Sequence, residues 1–93
     1  MNIGMIKINE NMPYVYYTFT TNLWKKINDK YELVTKYGYC KFNKQTEEFD
    51  LDVEKTDPYF INNTREVPAA RSKLVRIKRA HEKFTDRTGV ATG

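Results

Sequence analysis

Hydrophobic and polar residues alternate along much of the first half of the chain, and this alternation is typical of β-strands that bury one face. It predicts strands over 5–9, 14–20, 32–42 and 48–54. The second of these strands consists almost entirely of aromatic and β-branched residues, which favour extended structure. In the fourth strand, three hydrophobic residues alternate with acids and are expected to face the core: Phe49, Leu51 and Val53.

The segment over 21–31 fits two interpretations. A two-turn helix is indicated by the spacing of its hydrophobic residues, which are Leu23, Trp24, Ile27 and Tyr31. The other interpretation extends the strand to residue 27 and places a hairpin turn at 28–30. The hairpin is favoured, because a strand pattern resumes directly after that turn. Farther along the chain the alternation changes phase near Gly38, and a β-bulge at this glycine is predicted.

The second half of the chain predicts one helix that begins at Pro68, a residue suited to the first turn of a helix. A stripe of side chains at helical spacing continues from there to about residue 84: Ala70, Leu74, Ile77, His81 and Phe84. The predicted fold is therefore α+β, a three- or four-stranded antiparallel meander packed by one C-terminal helix. Residues 1–84 are expected to form this single domain, and residues 85–93 a flexible C-terminal tail.

Composition narrows the class of protein. A chain of 93 residues, of which 40% are hydrophobic, is sufficient for one domain. No hydrophobic run approaches the length of a membrane span, and the first residues lack the apolar stretch of a signal peptide. The single cysteine, Cys40, supports neither an internal disulfide nor a cysteine-based zinc site. A small soluble cytoplasmic domain without a metal or other cofactor is therefore expected.

The sequence contains no recognisable catalytic signature. Its one histidine, His81, has no nucleophile at a recognisable spacing, and there is no glycine-rich phosphate loop. Asp50 and Asp52 share one face of a predicted strand, but acids at such positions usually face solvent rather than hold a metal. The chain is therefore expected not to be an enzyme, and no catalytic residue is assigned.

The net charge of +4 conceals a strong segregation of charge along the chain. Residues 47–66 contain seven acids and two bases, whereas residues 67–93 contain seven bases and two acids. Six of these bases occupy positions that the stripe of the predicted helix leaves free: Arg71, Lys73, Arg76, Lys78, Arg79 and Lys83. This basic helix face predicts contacts with phosphates or with an acidic protein surface, and Arg87 on the tail adds a further cation.

Tyrosine is unusually frequent, with seven in 93 residues. On the strand over 14–20, Tyr14 and Tyr16 point away from the more hydrophobic face. Exposed tyrosines suit both nucleobase stacking and protein interfaces, because they offer a flat apolar ring with a polar tip. We therefore expect a small non-enzymatic binding protein that uses its basic helix face, Tyr14 and Tyr16 to engage nucleic acid or a nucleoprotein complex.

The alternative function is a protein–protein inhibitor or adaptor. A short, tyrosine-rich α+β chain without a catalytic signature resembles in type, though in no particular motif, the accessory proteins of phages and mobile elements, such as anti-defence or anti-CRISPR proteins. It would present its basic helix face to an acidic partner, or it would present to a basic groove an acidic strip formed by Glu47, Glu48, Asp50, Asp52 and Glu54. Acidic and basic strips that lie side by side would neutralise each other, whereas strips on opposite faces would both be free for partners. Either function is compatible with a homo-oligomer.

Overall fold

The computed structural model describes residues 2–62 and 65–91, and its main element is a five-stranded antiparallel sheet. The strands are β1 (Asn2–Asn11), β2 (Tyr14–Ile27), β3 (Lys30–Asn43), β4 (Phe49–Leu51) and β5 (Arg87–Ala91). The helices of the described chain are α1 (Pro58–Ile61) and α2 (Glu66–Arg79). The sheet order is β4-β3-β2-β1-β5, so the first four strands form a meander and β5 pairs with the far edge of β1. The predicted α+β fold, an antiparallel meander packed by a helix, is confirmed.

The hairpin of β2 and β3 is the longest element of the fold. Its register runs without interruption from the pair Tyr14 and Asn43 to the pair Ile27 and Lys30. The two residues between the strands, Asn28 and Asp29, have positive φ angles of 50° and 62°. Asparagine and aspartate tolerate this left-handed conformation, which two-residue hairpin turns require. The hairpin interpretation of residues 21–31 is therefore confirmed, and the helical one is wrong.

One face of the sheet, here called the inner face, is covered by helix α2, helix α1 and the segment that follows α2. The buried core contains Ile3, Met5, Val15, Tyr17, Phe19, Cys40, Phe42, Phe60, Ala70, Leu74, Ile77 and Phe84. The ring of Phe60 in α1 meets the ring of Phe19 edge-on, with 4.8 Å between their centroids. Burial raises the pKa of the Cys40 thiol to about 12, so this cysteine packs as a small neutral side chain.

The β-bulge predicted at Gly38 is wrong, because the pairing of β2 with β3 continues through this residue without a shift. The sheet irregularity lies in β1 instead, between Lys7 and Asn9. The phase change in the sequence has a different cause. Leu33 and Tyr37 occupy the uncovered face of β3, so they are hydrophobic residues exposed to solvent rather than core residues out of phase.

Strand β4 is shorter than the strand predicted over 48–54. It ends at Leu51, and Val53, which was expected to face the core, is exposed. The chain turns there because the Asp52 carbonyl oxygen accepts a hydrogen bond from the Thr56 amide, at 3.0 Å. The Thr56 hydroxyl in turn accepts a hydrogen bond from the Tyr39 amide, also at 3.0 Å, which holds the turn against β3.

Helix α2 begins two residues before Pro68 and ends at Arg79, so the helix predicted to continue to about residue 84 is wrong at its C-terminal end. The Ala80 amide closes the last turn on the Arg76 carbonyl, and His81 has a left-handed φ of 56°. His81 is exposed and does not belong to the buried stripe. Phe84 is buried, but it lies in the irregular segment between α2 and β5.

The flexible tail predicted over 85–93 is wrong for 87–91, which form β5 and give the sheet five strands instead of three or four. Residues just before β5 are held to the sheet by hydrogen bonds. The Tyr17 hydroxyl donates to the Thr85 carbonyl at 2.6 Å, and the Lys7 amide donates to the Asp86 carbonyl at 2.7 Å. Residues 92 and 93 lie outside the described part of the chain.

Candidate binding surfaces

The six cations predicted for the basic helix face lie on the covered side of the molecule, on and after helix α2. Arg71, Arg76 and Arg79 are exposed, and Lys73 and Lys78 are half-buried on the flanks of the helix. Lys83 is exposed in the segment that follows the helix. The buried positions of α2 are Glu66, Ala70, Leu74 and Ile77. The five cations within α2 therefore lie outside its buried side.

Glu47 neutralises the C-terminal end of the basic helix face. Its carboxylate accepts two hydrogen bonds from the Arg79 guanidinium, at 2.8 and 3.0 Å, and one from Lys78 Nζ at 3.3 Å. The turn between β3 and β4 positions it, because Asn43 Oδ1 accepts hydrogen bonds from two successive turn amides. The Arg79 and Lys78 contacts lower the pKa of Glu47 to about 2. Two of the six predicted helix-face cations are thus already paired.

Replacing Glu47 with glutamine is expected to reduce the acid sensitivity of the fold. Its folded-state pKa of about 2 lies below its usual value of 4.5. Its contribution to stability is therefore complete above pH 4.5 and is lost as the pH falls through about 2. Thermal unfolding followed by circular dichroism at steps from pH 6 to pH 2 should show a smaller drop in Tm for Glu47→Gln than for the wild type. Glu48→Gln, an exposed neighbour, is the control, and identical pH profiles for all three proteins would contradict the expectation.

The acidic residues do not form one strip. Glu47 faces helix α2, whereas Asp50 lies on the uncovered face, directly across from Lys41 in the pairing of β3 with β4. Asp52 Oδ1 accepts a hydrogen bond from the Lys55 amide in the turn after β4, at 3.3 Å. Glu48 and Glu54 are exposed. The acids are therefore divided between the two sides of the sheet.

Tyr14 and Tyr16 lie on the side of the sheet that helix α2 does not cover, here called the outer face. Both rings are half-buried, with 6.3 Å between their centroids. Lys41 Nζ sits 4.7 Å from the centroid of the Tyr14 ring, a cation–π contact, and Lys41 lies directly across from Tyr16 in the sheet. Arg87 also belongs to the outer face, because it pairs with Ile6 in β1. The two tyrosines and the helix cations are thus on opposite sides of the sheet, and the structure does not bring them together.

The outer face contains further aromatic residues that the sequence analysis did not assign to a site. The outward positions of β2 are Tyr14, Tyr16, Thr18, Thr20, Asn22, Trp24 and Lys26. Those of β3 are Tyr31, Leu33, Thr35, Tyr37, Tyr39, Lys41 and Asn43. Six of these fourteen residues are aromatic, two are lysines and none is a carboxylate. In the sequence, strand periodicity places alternate residues of β2 on one face. The residues of β3 that share this face can be identified only from the register of the hairpin.

A groove of about 490 Å³ lies beside Tyr16 and Tyr39 on the outer face. Its charged lining residues are Lys41, Asp50, Asp52 and Lys55. A smaller groove of about 420 Å³ lies on the helix side, between Glu47 and the exposed side chains of Arg71 and Arg76. The first groove combines flat rings with two cations and two carboxylates. The second combines cations with a carboxylate that is already engaged.

Comparisons with family models, with curated proteins and with solved structures find no match to this chain. Within residues 2–62 and 65–91, no three histidine, cysteine or acidic side chains lie together as ligands for a metal ion. In the same part of the chain, neither helix has the length and hydrophobicity needed to cross a bilayer. Function is therefore inferred from the surfaces themselves.

Proposed function

We propose that the protein is a non-enzymatic binding module that holds single-stranded nucleic acid on the outer face of its sheet. The observation that carries this proposal is the composition of that face on β2 and β3, with six aromatic residues, two lysines and no carboxylate. Surfaces that bind single strands combine aromatic rings, on which bases stack, with cations that follow the phosphates. Stacking of one base on an aromatic ring contributes about 1–3 kcal/mol and tolerates any base, because every base has a flat face.

Tyr14, Tyr16 and Lys41 form the centre of the proposed site. The two tyrosine rings offer stacking area, and Lys41, whose Nζ lies over the Tyr14 ring, is placed to contact a phosphate or to cover a ring. Asp50, directly across from Lys41, is a hydrogen-bond acceptor for the amino group of a base. Arg87 adds a cation near the opposite edge of the sheet.

A single strand suits this face better than a duplex. Stacking on tyrosine rings requires bases that are not already stacked and paired inside a double helix. The outer face is a broad sheet surface, and a strand lying on it exposes its bases to the rings and its phosphates to the lysines. The exposed Arg71 and Arg76 of helix α2, on the other side of the sheet, add a positive field that favours association with a polyanion at long range.

Binding of labelled single-stranded and duplex oligonucleotides, followed by fluorescence anisotropy at several salt concentrations, tests the proposal. The wild type is expected to prefer the single strand. The double variant Lys41→Ala/Arg87→Ala should bind more weakly and lower the log–log salt slope by about 1.4, since each phosphate contact on a single strand contributes about 0.7. Tyr14→Ala/Tyr16→Ala should lower the affinity without changing the slope, because stacking releases no counterions.

The matched control is Arg71→Ala/Arg76→Ala, which removes the same charge from the helix side. Its effect should be confined mainly to a slower association rate. If the helix variant abolished binding while the sheet variants did not, the proposed surface would be wrong. Absence of binding to either oligonucleotide at low salt would overturn the nucleic-acid function and would favour a protein partner instead. Circular dichroism spectra establish that each variant is folded.

A further inference from the structure

The distal part of the β2–β3 hairpin projects from the sheet as a two-stranded ribbon, here defined as residues 22–35. Among the described residues, the pairing of β1 with β2 ends at Thr20, and β4 pairs with β3 only at 40–42. In this part of the chain, the two strands of the ribbon therefore pair only with each other. The molecule is elongated and measures 48 × 26 × 21 Å. A projection of this kind has both of its sides open to a partner.

Large hydrophobic side chains cluster on the outer side of the ribbon. Trp24 is 70% exposed and lies directly across from Leu33, which is 53% exposed. Tyr31, the diagonal neighbour of Trp24 across the ribbon, is 69% exposed. Single exposed hydrophobic residues are common on protein surfaces, but a contiguous group of this kind marks an interaction site.

This group is continuous with the proposed nucleic-acid surface. Tyr37 and Tyr39 follow Leu33 along the outward positions of β3 and lead to Lys41, which faces Tyr16. Outward residues on a strand repeat every 6.8 Å or so, and the track from residue 31 to residue 41 is therefore about 34 Å long. One elongated ligand can contact both the sheet and the ribbon.

The charges of this track favour a polyanion over a second copy of the chain. The charged residues at the outward positions of β2 and β3 are Lys26 and Lys41. Lys26 makes a long contact of 3.9 Å with Asp29, a turn residue whose carboxylate is open to water and adds little. Two ribbons placed face to face would bring their Lys26 residues into one apolar interface without a carboxylate on that face, which is unfavourable.

We infer that the ribbon extends the nucleic-acid surface, so that a single strand bound at Tyr16 and Lys41 continues past Tyr37 and stacks a base on the Trp24 indole. This inference rests on the proposed function. Short oligonucleotides would contact only the sheet, at Tyr16 and Lys41, whereas longer oligonucleotides would contact both the sheet and the ribbon. Because the second contact is then intramolecular, affinity should rise with strand length beyond what one portion provides.

Trp24 is the sole tryptophan of the chain, so its fluorescence reports on the ribbon alone. Oligothymidines from about 4 to about 16 nucleotides cover the range of known single-strand site sizes. Anisotropy of the labelled strand should detect binding at every length, whereas quenching of Trp24 should appear only with the longer strands. Trp24→Ala should weaken binding of the longer strands by about 5- to 150-fold and leave the shortest unaffected.

Two further variants control for indirect effects. Ile27→Ala removes a hydrophobic side chain from the other side of the same ribbon and should leave binding at every length unchanged. Trp24→Phe, which keeps an aromatic ring, should recover much of the affinity lost in Trp24→Ala. Because Trp24 is exposed, neither variant at this position should alter the unfolding midpoint.

Three outcomes separate this inference from the function on which it rests. Binding that neither quenches Trp24 nor depends on it would overturn the inference and leave the sheet-face function standing. Absence of binding at every strand length would overturn both. A change in Trp24 emission with protein concentration alone, accompanied by a doubled mass in sedimentation, would assign the ribbon to a second copy of the chain and overturn the inference.

Discussion

Replacing Leu74 with alanine is expected to lower the free energy of unfolding by about 2–5 kcal/mol, the range observed for large-to-small changes in protein cores. Leu74 has no accessible surface, and it belongs to the buried cluster that joins helix α2 to the inner face of the sheet. The loss comes from the removed hydrophobic contacts and from the cavity that the surrounding side chains fill incompletely. For a single small domain, this is a large part of a total stability of about 5–15 kcal/mol.

Urea denaturation followed by circular dichroism measures this loss. Arg76→Ala, two residues farther along the same helix, is the matched control, because Arg76 is exposed and its removal should change the free energy of unfolding by less than about 0.5 kcal/mol. A loss below about 1 kcal/mol for Leu74→Ala would mean that α2 is not anchored through this side chain. Equal losses for the two variants would point to helix propensity rather than burial.

Leu74 also illustrates what the sequence alone could predict. Its spacing from Ala70 and Ile77 marked the buried side of α2, and the aromatic and β-branched run over 14–20 marked the central strand. Both signals are local and periodic, so they can be recognised without knowledge of the rest of the fold. Phe84 matched the helical spacing by coincidence, because a buried residue in the irregular segment after α2 can stand at the same spacing in the sequence.

Strand β5 could not be predicted from a local sequence pattern. Its sequence, Arg-Thr-Gly-Val-Ala, is short and contains one large hydrophobic residue, so nothing within it favours a strand strongly. Its structure depends on the free edge of β1, more than 75 residues earlier in the chain, with which it pairs from Ile6 to Asn2. The hydrogen bond from the Tyr17 hydroxyl to the Thr85 carbonyl adds a second long-range restraint.

Sequence periodicity placed individual residues of the candidate surfaces, but it could not give their arrangement. The exposed arginines of α2 and the outward orientation of Tyr16 follow from helical and strand periodicity. Which side of the sheet receives the helix is a property of the whole fold, and it separates Tyr16 from Arg71 and Arg76. Trp24 and Tyr37 remained unassigned for a related reason, since the register of the hairpin was needed to place them on the same face as Tyr16.

Gly38→Ala is expected to destabilise the fold by about 1–3 kcal/mol, the range for overpacking a tight core. Gly38 is buried directly across from Phe19, and a Cβ at residue 38 would overlap the Phe19 ring. That ring has no accessible surface and is braced edge-on by Phe60, so it cannot move aside without disturbing the core. Gly38 therefore leaves space for a neighbouring ring, and it forms neither a bulge nor an unusual backbone angle.

Gly4→Ala is the matched control, because a Cβ there would meet Thr20 Oγ1 at 3.4 Å, an ordinary contact. It should be neutral or should raise the stability by up to about 1 kcal/mol, since glycine is unfavourable within a strand.

Phe19→Leu alone should be destabilising, because it removes a ring from the core, but it also frees space above residue 38. In the double variant Gly38→Ala/Phe19→Leu, the combined loss should therefore be smaller than the sum of the two single losses, by about 0.5–3 kcal/mol. Strict additivity in chemical denaturation would show that the ring does not occupy the space above Gly38, and a Gly4→Ala loss as large as that of Gly38→Ala would assign the effect to the backbone.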